Sequence, residues 1–310
     1  MIAGLYQPNS HRLVAIDDCV VQQPVTMAIL NGVVRLLEKY NVPIYDERQN
    51  SGIVKTIMIR TGLKTGETQL VFITHSSKLP QKNQMINELK HEFPVLVSIM
   101  QNVQPTKSSV IMGDQTIHLW GKESIAEQLE DVHFNLSPRA FFQLNPEQTA
   151  TLYEEARKAL DAQPGDKIID AYCGVGTIGL SLAKLVAEVR GMDTIPSAIE
   201  DAKKNAERLG VTNTHYEAGT AEELIPKWLE NNFRPDGIIV DPPRTGLDKK
   251  LIDTLLKYPS KKLVYVSCNP STLARDLVYL VKKYKVDYLQ SVDMFPQTAR
   301  AEVVAKLTLK

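Results

Sequence analysis

Cys268 stands where a strand-like run ends and a helix-like segment begins. The run covers residues 263–267, and Asn269 and Pro270 then supply a helix N-cap and a first helical residue. A thiol just ahead of a helix N-terminus lies near the positive end of the helix dipole, which favours the thiolate. A lone cysteine is more often an inert packing residue, but this position predicts a nucleophile.

A stiff turn with the sequence DPPRTG follows another apolar strand-like run, at residues 237–240. Its two prolines fix φ and remove two backbone donors, so the turn presents Asp241 rigidly at the end of the strand. A simple connector would not need a charged residue on each side of the proline pair. We therefore interpret this turn as a ligand contact.

A glycine-rich turn, GVGTIG, joins a strand-like run at residues 167–170 to a helical pattern. Gly174 and Gly176 let the backbone approach a ligand closely. Asp193 ends the next strand, where a carboxylate can accept hydrogen bonds from ribose hydroxyls. The same devices serve nicotinamide dinucleotides and S-adenosyl-L-methionine, so the turn alone leaves both open. Cys173, inside the turn, is interpreted as a packing residue.

Strand-like and helix-like segments alternate along residues 136–310 and would position these turns. This alternation predicts an α/β, Rossmann-like, doubly wound and mostly parallel sheet, in which ligands bind at the carboxyl ends of the strands. Residues 1–135 instead mix hairpin-like strands with amphipathic helices and predict a separate α+β domain. The runs that precede a helical pattern in the second part lie at 167–170, 188–192, 213–217, 237–240 and 263–267.

The composition is that of an ordinary globular protein, with 43% hydrophobic and 23% charged residues among 310. Lys and Arg total 36, as do Asp and Glu, so the net charge of zero neither indicates nor excludes a nucleic-acid partner. Three cysteines are too few for a disulfide framework and favour a reducing compartment. Because no signal peptide or membrane-spanning run is evident, we expect a cytoplasmic monomer that does not enter membranes.

These turns and their flanking segments resemble the RNA uracil-5-methyltransferase family, of the 23S rRNA (uracil-5-)-methyltransferase type. The segments Gly4-Leu5-Tyr6 and Ser10-His11, and the stretch around Cys19, are similar to the central domain of the rRNA enzymes. The C-terminal half carries the family's motifs in order, as SPRAFFQLN at 137–145, DAYCGVGTIGL at 170–180, DPPRTG at 241–246, SCNPSTLARD at 267–276, and DMFPQT at 293–298 followed by Glu302.

The resemblance implies an enzyme that forms 5-methyluridine in RNA, with residues 1–135 as an RNA-binding domain and residues 136–310 as the catalytic domain. Cys268 would add to carbon 6 of uracil, and Glu302 would remove the proton from carbon 5. The Cys19 segment favours 23S rRNA over tRNA as the substrate. The residues expected to contact S-adenosyl-L-methionine are Gln143, Tyr172, Gly174, Gly176, Asp193 and Asp241.

The target base must leave its stack to reach Cys268, so side chains that receive it are expected. Phe141, Phe142 and Phe295 are candidates for stacking on the base, although core packing is the preferred interpretation for Phe141 and Phe142. Arg244 or Arg275 would offset charge on uracil O4 or bind phosphate, and the sequence does not rank the two.

The chain also departs from the family pattern. Relatives commonly carry an N-terminal TRAM domain, and many rRNA enzymes hold an iron-sulfur cluster on four cysteines, of which Cys19 matches the last. We therefore expect a C-terminal fragment or a natural short form that holds no such cluster. Asp193 replaces the more usual glutamate, and Arg300-Ala301 precede Glu302 where many relatives have His-Val.

Three other functions are compatible with parts of this sequence. A nicotinamide-dependent oxidoreductase would explain the glycine turn but not the DPPRTG and SCNP segments. An RNA-binding module with an inactive methyltransferase fold would need none of the chemistry at Cys268. A cytosine-5 methyltransferase would use a similar thiolate addition, but the single cysteine of SCNP and the DPPR turn fit the uracil enzymes better.

Overall fold

A computed structural model describes residues 1–8, 10, 12–19, 22–108, 110–129, 132–298 and 300–310. His11, which belongs to one of the family-like segments, lies outside the described residues. The chain divides into two compact units, one of Met1–Gln128 with Ser137–Arg139 and the other of Leu129–Leu136 with Ala140–Lys310. No described helix is long and apolar enough to cross a membrane.

The first unit is built on a four-stranded sheet with the order β3-β4-β5-β6, and it has the predicted α+β character. The β3–β4 and β5–β6 pairs are antiparallel, whereas β4 and β5 are parallel and are joined through α2. Leu70 and Phe72 of β4 pack with Ile29 of α1 and Leu89 of α2 in the core of this unit. Its elements are β1 (Gly4–Tyr6), β2 (Leu13–Ala15), α1 (Pro24–Lys39), β3 (Val54–Thr61), β4 (Thr68–Thr74), α2 (Lys82–Glu92), β5 (Leu96–Val103), β6 (Gln115–Gly121) and β7 (Ile125–Leu129), whose last residue belongs to the second unit.

The second unit alternates strands and helices, as the sequence predicts. A 3₁₀ turn, Ala183–Leu185, follows α4. The elements are β8 (Val132–Leu136), α3 (Pro146–Leu160), β9 (Lys167–Ala171), α4 (Thr177–Leu182), β10 (Glu188–Asp193), α5 (Pro196–Arg208), β11 (Thr214–Ala218), α6 (Ala221–Glu230), β12 (Gly237–Val240), α7 (Lys249–Lys257), β13 (Lys262–Ser267), α8 (Pro270–Leu280), β14 (Tyr284–Val292) and β15 (Glu302–Leu309).

One seven-stranded sheet, with the order β11-β10-β9-β12-β13-β15-β14, organises the second unit. The first five of these strands are parallel to their neighbours, and β15 lies antiparallel between β13 and β14. After β9, strands β10 and β11 are added on one side of β9, and β12 is then added on its other side. This reversal opens a crevice at the carboxyl ends of β9 and β12, and the predicted doubly wound α/β sheet is confirmed.

The central strands are covered on both faces, which explains why they read as continuous apolar runs rather than alternating ones. Every residue of β12 is buried, and so is every residue of β13 except its first. Ile238 and Tyr265 pack with Leu251 of α7 and Leu273 of α8 in one core cluster. The turns that leave these strands are therefore anchored in the most rigid part of the unit.

Strands β7 and β8 were not expected from the sequence. Intermediate and buried residues alternate along β7. Such a short and half-polar pattern carries a weaker signal than the apolar runs of the central sheet. A strand expected at Val20 and Val21 falls on residues outside the described part of the chain.

Candidate active site

The glycine turn after β9 has a backbone that few residue types adopt. Gly174 and Gly176 have φ values of 55° and 83°, in the left-handed region that favours glycine. A Cβ atom at Gly176 would lie 2.8 Å from the hydroxyl oxygen of Tyr216, whereas one at Gly174 would meet no atom closer than 4.0 Å. The turn is thus tightly packed at Gly176 and open at Gly174, where a ligand can approach the main chain.

Asp193, at the end of β10, holds this turn in place. One carboxylate oxygen accepts a hydrogen bond from Gly174 N at 3.1 Å, and the other accepts one from Ile195 N at 2.9 Å. The residue is half-buried, and each oxygen keeps acceptor capacity for another donor. Asp193 is therefore located where it can contact a ligand that lies against Gly174.

A pocket opens beside the turn, at the carboxyl ends of β9 and β12. Of the residues expected to contact the methyl donor, Tyr172, Gly174 and Asp241 line it, whereas Gly176 and Asp193 do not. Gln143 lies next to it, because its side chain hydrogen-bonds with the pocket residue Tyr153. The complete lining is Phe141, Phe142, Tyr153, Asp170, Tyr172, Cys173, Gly174, Thr177, Ile178 and Asp241.

Sequence reasoning missed three polar residues of the pocket. Tyr153 and Thr177 share a hydrogen bond of 3.2 Å between their hydroxyls, but Tyr153 belongs to α3 and has no local signal for a site. Asp170 had a detectable signal, because it is an acidic residue at the end of an apolar strand and just before the glycine turn. It should have been included among the candidates.

Asp170 and Asp241 are carboxyl groups in surroundings that disfavour their charge. Burial raises the pKa of Asp170 to about 7, although one of its oxygens accepts a hydrogen bond from Gly179 N at 2.8 Å. Burial, followed by the charges of Glu302 and Asp170, raises the pKa of Asp241 to about 8. A cation bound in this pocket would stabilise both carboxylates.

The register of β13 and β15 brings Cys268 and Glu302 together. Ser267 pairs with Val303, and the ladder places Glu302 opposite Cys268 when it is continued by one residue. Residues directly opposite each other in an antiparallel pair have side chains within contact distance. Glu302 is only 7% exposed, its Oε2 has no partner among the described residues, and burial raises its pKa. It is a carboxylate that is free to take a proton.

The Cys268 thiol is half-buried, and its electrostatics differ from the expectation. Burial and the charges of Glu302 and Asp241 raise the pKa of the thiol, while Arg244 and a backbone hydrogen bond lower it. Burial and two acidic neighbours thus oppose the thiolate, which the position before α8 was expected to favour. The expected preference for thiolate is wrong for the protein alone, because the sequence did not show that two acidic groups would face the thiol.

The two arginines proposed as substrate contacts differ in their surroundings. Arg275 donates from Nη2 to Thr245 O at 2.8 Å and from Nε and Nη2 to the carboxylate of Asp276, so two of its three nitrogens are engaged by the protein. Arg244 is exposed, and its backbone is fixed because its carbonyl accepts hydrogen bonds from Asn269 Nδ2 at 3.0 Å and Thr272 Oγ1 at 3.3 Å. The charge of Arg244 lowers the pKa of the Cys268 thiol, so Arg244 is better placed than Arg275 to contact a substrate beside Cys268.

The three phenylalanines also differ. Phe142 is buried and packs on Phe134 with ring centroids 6.1 Å apart, as expected. Phe141 is 61% exposed, so the preference for core packing was wrong for this residue. It lies in an irregular segment, where no helical or strand period indicates which side chain faces inward. Phe295 is half-exposed, next to Met294, whose carbonyl accepts a hydrogen bond from Asn145 Nδ2 at 3.0 Å.

Cys19, expected to match a cluster ligand, is a half-buried free thiol in the first unit. Within the described ranges, no three His, Cys, Asp or Glu side chains converge as a metal site would require.

Known proteins resemble this chain over nearly all of its length. The family model of tRNA (uracil-5-)-methyltransferases matches residues 68–309. An uncharacterized RNA methyltransferase of Enterococcus faecalis is 66% identical over 99% of this chain and 68% of its own length. One from Listeria monocytogenes is 61% identical over 99% of this chain and 67% of its own length.

A similar fold is found in the crystal structure of Pyrococcus abyssi tRNA (uracil-54, C5)-methyltransferase in complex with S-adenosyl-L-homocysteine. The two proteins are 33% identical and superpose with a TM-score of 0.78, over 96% of this chain and 70% of that chain.

The raised pKa of the half-buried Asp241 carboxyl predicts a pH dependence of stability. An unfolded aspartate has a pKa of about 4, so between that pH and about 8 the folded protein holds a proton that the unfolded chain has lost. The free energy of unfolding must then fall as the pH rises through this range. In urea denaturation without added ligand, the free energy of unfolding of the wild type should fall between about pH 5 and pH 8. For Asp241→Asn, we expect this fall to be about 1–2 kcal/mol smaller.

The exposed Asp253 of α7 provides the matched control, and Asp253→Asn should lose as much stability as the wild type over the same range. Parallel curves for Asp241→Asn and the wild type would contradict the assignment of a raised pKa to Asp241.

Proposed function

The chain belongs to the tRNA (uracil-5-)-methyltransferase family, and from that premise we propose that it methylates carbon 5 of a uridine in 23S rRNA, with S-adenosyl-L-methionine as the methyl donor. The observation that carries the proposal is that the half-buried thiol of Cys268 lies opposite Glu302, a buried carboxylate whose Oε2 has no partner among the described residues, and that the charge of Asp241, a pocket residue, acts on the thiol. A nucleophile and a base on neighbouring strands are what methylation of uracil at carbon 5 requires.

The pocket suits a ligand of the chemistry of S-adenosyl-L-methionine, which carries positive charge on its sulfonium and on its ammonium group. Asp170 and Asp241 supply the opposite charge, and one oxygen of Asp170 is buried without a partner in the described part of the chain. The open backbone at Gly174 and the carboxylate of Asp193 would hold the nucleoside end, with Gln143, Tyr172 and Gly176 completing the site. When bound, the cofactor supplies an electrophilic methyl group.

Cys268 begins the reaction by adding its sulfur to carbon 6 of the uracil. The new C–S bond pushes the electrons of the 5,6 double bond toward O4, which makes carbon 5 nucleophilic. Since Asp241 is one of the groups that raise the pKa of the thiol, a cationic ligand beside Asp241 favours the thiolate. Arg244 acts in the same direction, so the nucleophile is activated in the occupied site.

Glu302 ends the reaction by removing the proton that remains on carbon 5 after methylation. The electron pair of the C–H bond restores the 5,6 double bond and expels the sulfur of Cys268. Burial raises the pKa of Glu302, which makes its carboxylate a stronger base than an exposed one. The free Oε2 is the atom that would accept the proton.

The RNA must present its uridine outside the helical stack, because the base has to reach the half-buried thiol of Cys268. The exposed ring of Phe141 and the half-exposed ring of Phe295 are suited to stack on the extruded base or on its neighbour. We assign RNA binding also to residues 1–135, and we place the enzyme in the cytoplasm as a monomer. The resemblance of the Cys19 segment to rRNA enzymes supports 23S rRNA, whereas the Pyrococcus abyssi relative acts on tRNA, which is the alternative substrate.

Labelled methyl transfer separates the two RNA classes. Total RNA from cells that lack the gene is incubated with the protein and S-[methyl-³H]adenosylmethionine, and 23S rRNA and tRNA are then purified and digested to nucleosides. We expect label in 5-methyluridine from 23S rRNA and none in tRNA. Label in tRNA alone would overturn the rRNA assignment, and label in neither RNA would overturn the proposed function.

Cys268→Ala removes the nucleophile, so we expect methylation to fall by at least about a thousandfold. No covalent complex should form with RNA that carries 5-fluorouridine at the target position, whereas the wild type should form one that survives denaturing electrophoresis. Calorimetry should show unchanged affinity for S-adenosyl-L-methionine. The control variant Cys19→Ala should retain both methylation and the covalent complex, and methylation by Cys268→Ala at the wild-type rate would exclude this mechanism.

Glu302→Gln removes the base but leaves the nucleophile intact, so addition and methylation should proceed while elimination stalls. We expect turnover to fall by at least about a hundredfold, and a covalent complex that contains labelled methyl to accumulate on unmodified RNA. Glu200→Gln, which changes an exposed glutamate of α5, should behave as the wild type. Normal turnover by Glu302→Gln would remove this residue from the role of base.

A further inference from the structure

Asp276 is a charged residue of α8 that is fully buried and lies outside the pocket lining. Its Oδ2 accepts hydrogen bonds from the Tyr265 hydroxyl and from Leu247 N, both at 2.8 Å. Its Oδ1 accepts two from Arg275, from Nε at 2.8 Å and from Nη2 at 2.7 Å. A buried carboxylate is tolerated when its acceptors are satisfied in this way, and removing a partner is costly.

These contacts attach the second half of the DPPRTG turn to α8. Asp276 holds Leu247 directly, and it orients Arg275, whose Nη2 donates to Thr245 O at 2.8 Å. Between these two points, Gly246 lies so close that a Cβ atom would be 2.6 Å from Asp276 Oδ2. The turn therefore cannot shift along α8 without breaking buried hydrogen bonds.

The beginning of α8 holds the first half of the same turn. Asn269 and Thr272 both donate to the carbonyl of Arg244, so the backbone is held at residues 244, 245 and 247. The Arg244 guanidinium extends from this fixed backbone, and its charge opposes the larger effects of burial and of Glu302 and Asp241 on the Cys268 thiol. Because Asn269 directly follows Cys268, its hydrogen bond to Arg244 O keeps the Arg244 backbone close to Cys268, and the position of the Arg244 side chain relative to the thiol depends on how the turn is fastened to α8.

A buried carboxylate adds little stability compared with well-packed apolar groups of similar volume, but it accepts few arrangements of its hydrogen-bond partners. We propose that Asp276 is a positioning residue of the reaction, which keeps Arg244 beside Cys268 by fastening the DPPRTG turn to α8. The inference rests on the proposed function, because it takes Cys268 as the nucleophile.

The reactivity of the thiol tests the proposal in the full chain without RNA. Iodoacetamide modifies the thiolate, and mass spectrometry of the peptide that contains Cys268 gives the rate at this residue alone. We expect Asp276→Asn to lower the rate at pH 8 about threefold, because Arg244 moves away and the thiolate fraction falls. Loss of a negative charge alone would raise the thiolate fraction, so a fall identifies a loss of positioning.

A double-mutant cycle identifies Arg244 as the residue through which Asp276 acts. Arg244→Gln should lower the alkylation rate to a similar extent, and the double variant Arg244→Gln/Asp276→Asn should fall no further. In the methylation assay, Asp276→Asn should lower kcat about tenfold while the Kd for S-adenosyl-L-methionine is unchanged. Asp253→Asn, the exposed control, should match the wild type in each measurement.

Arg275→Gln provides a milder test should Asp276→Asn fail to fold, because the Arg275 side chain is 51% exposed and only its link to Thr245 and Asp276 is lost. It should reproduce the fall in alkylation rate with an unchanged near-ultraviolet circular dichroism spectrum. An unchanged or higher rate in a folded variant, or effects that multiply in the double variant, would overturn the proposal. Alkylation as expected together with no RNA methylation by the wild type would overturn the proposed function alone.

Discussion

Three acidic groups lie close together at the carboxyl ends of the central strands, and the rest of the second unit must hold them there. Asp170, Asp241 and Glu302 lie in surroundings that raise the pKa of each, and the Cys268 thiol lies among them. Mutual repulsion and desolvation would drive such groups apart on a flexible scaffold. They are held by buried parallel strands, by a turn stiffened with two prolines, and by hydrogen bonds from neighbouring helices.

The negative charge of this site affects three properties together: the stability of the fold, the binding of the cofactor and the reactivity of the Cys268 thiol. Without a cation, burial raises the pKa of Asp170, Asp241 and Glu302, and burial together with Glu302 and Asp241 raises the pKa of the thiol. A sulfonium or ammonium group beside Asp241 would favour both the carboxylates and the thiolate of Cys268. Arg244 contributes the protein's own positive charge.

Much of the second unit could be predicted from the sequence, because buried parallel strands appear as continuous apolar runs and their turns are marked by glycine and proline. The positions of Cys268 and Asp241 followed from that pattern. The partner of Cys268 did not, since Glu302 lies far along the chain and its role came from a family resemblance. Three further features depend on tertiary neighbours, and no local spacing of residues encodes them. They are the place of Tyr153 in the pocket, the exposure of Phe141 and the raised pKa of Cys268. Asp276 likewise looked like an ordinary helical residue.

The antiparallel strand β15 has a consequence for how this family can vary. Strand β15 pairs with β13, and continuing this ladder by one residue places Glu302 opposite Cys268. Successive residues of a strand point to opposite faces of the sheet. An insertion or deletion within β15 would turn the carboxylate of Glu302 to the other face while the sheet stayed paired. The segment at 293–298 lies before the ladder, so changes of length there leave the register intact. The register of the strand, rather than the length of the loop before it, thus sets the spacing between Glu302 and Cys268.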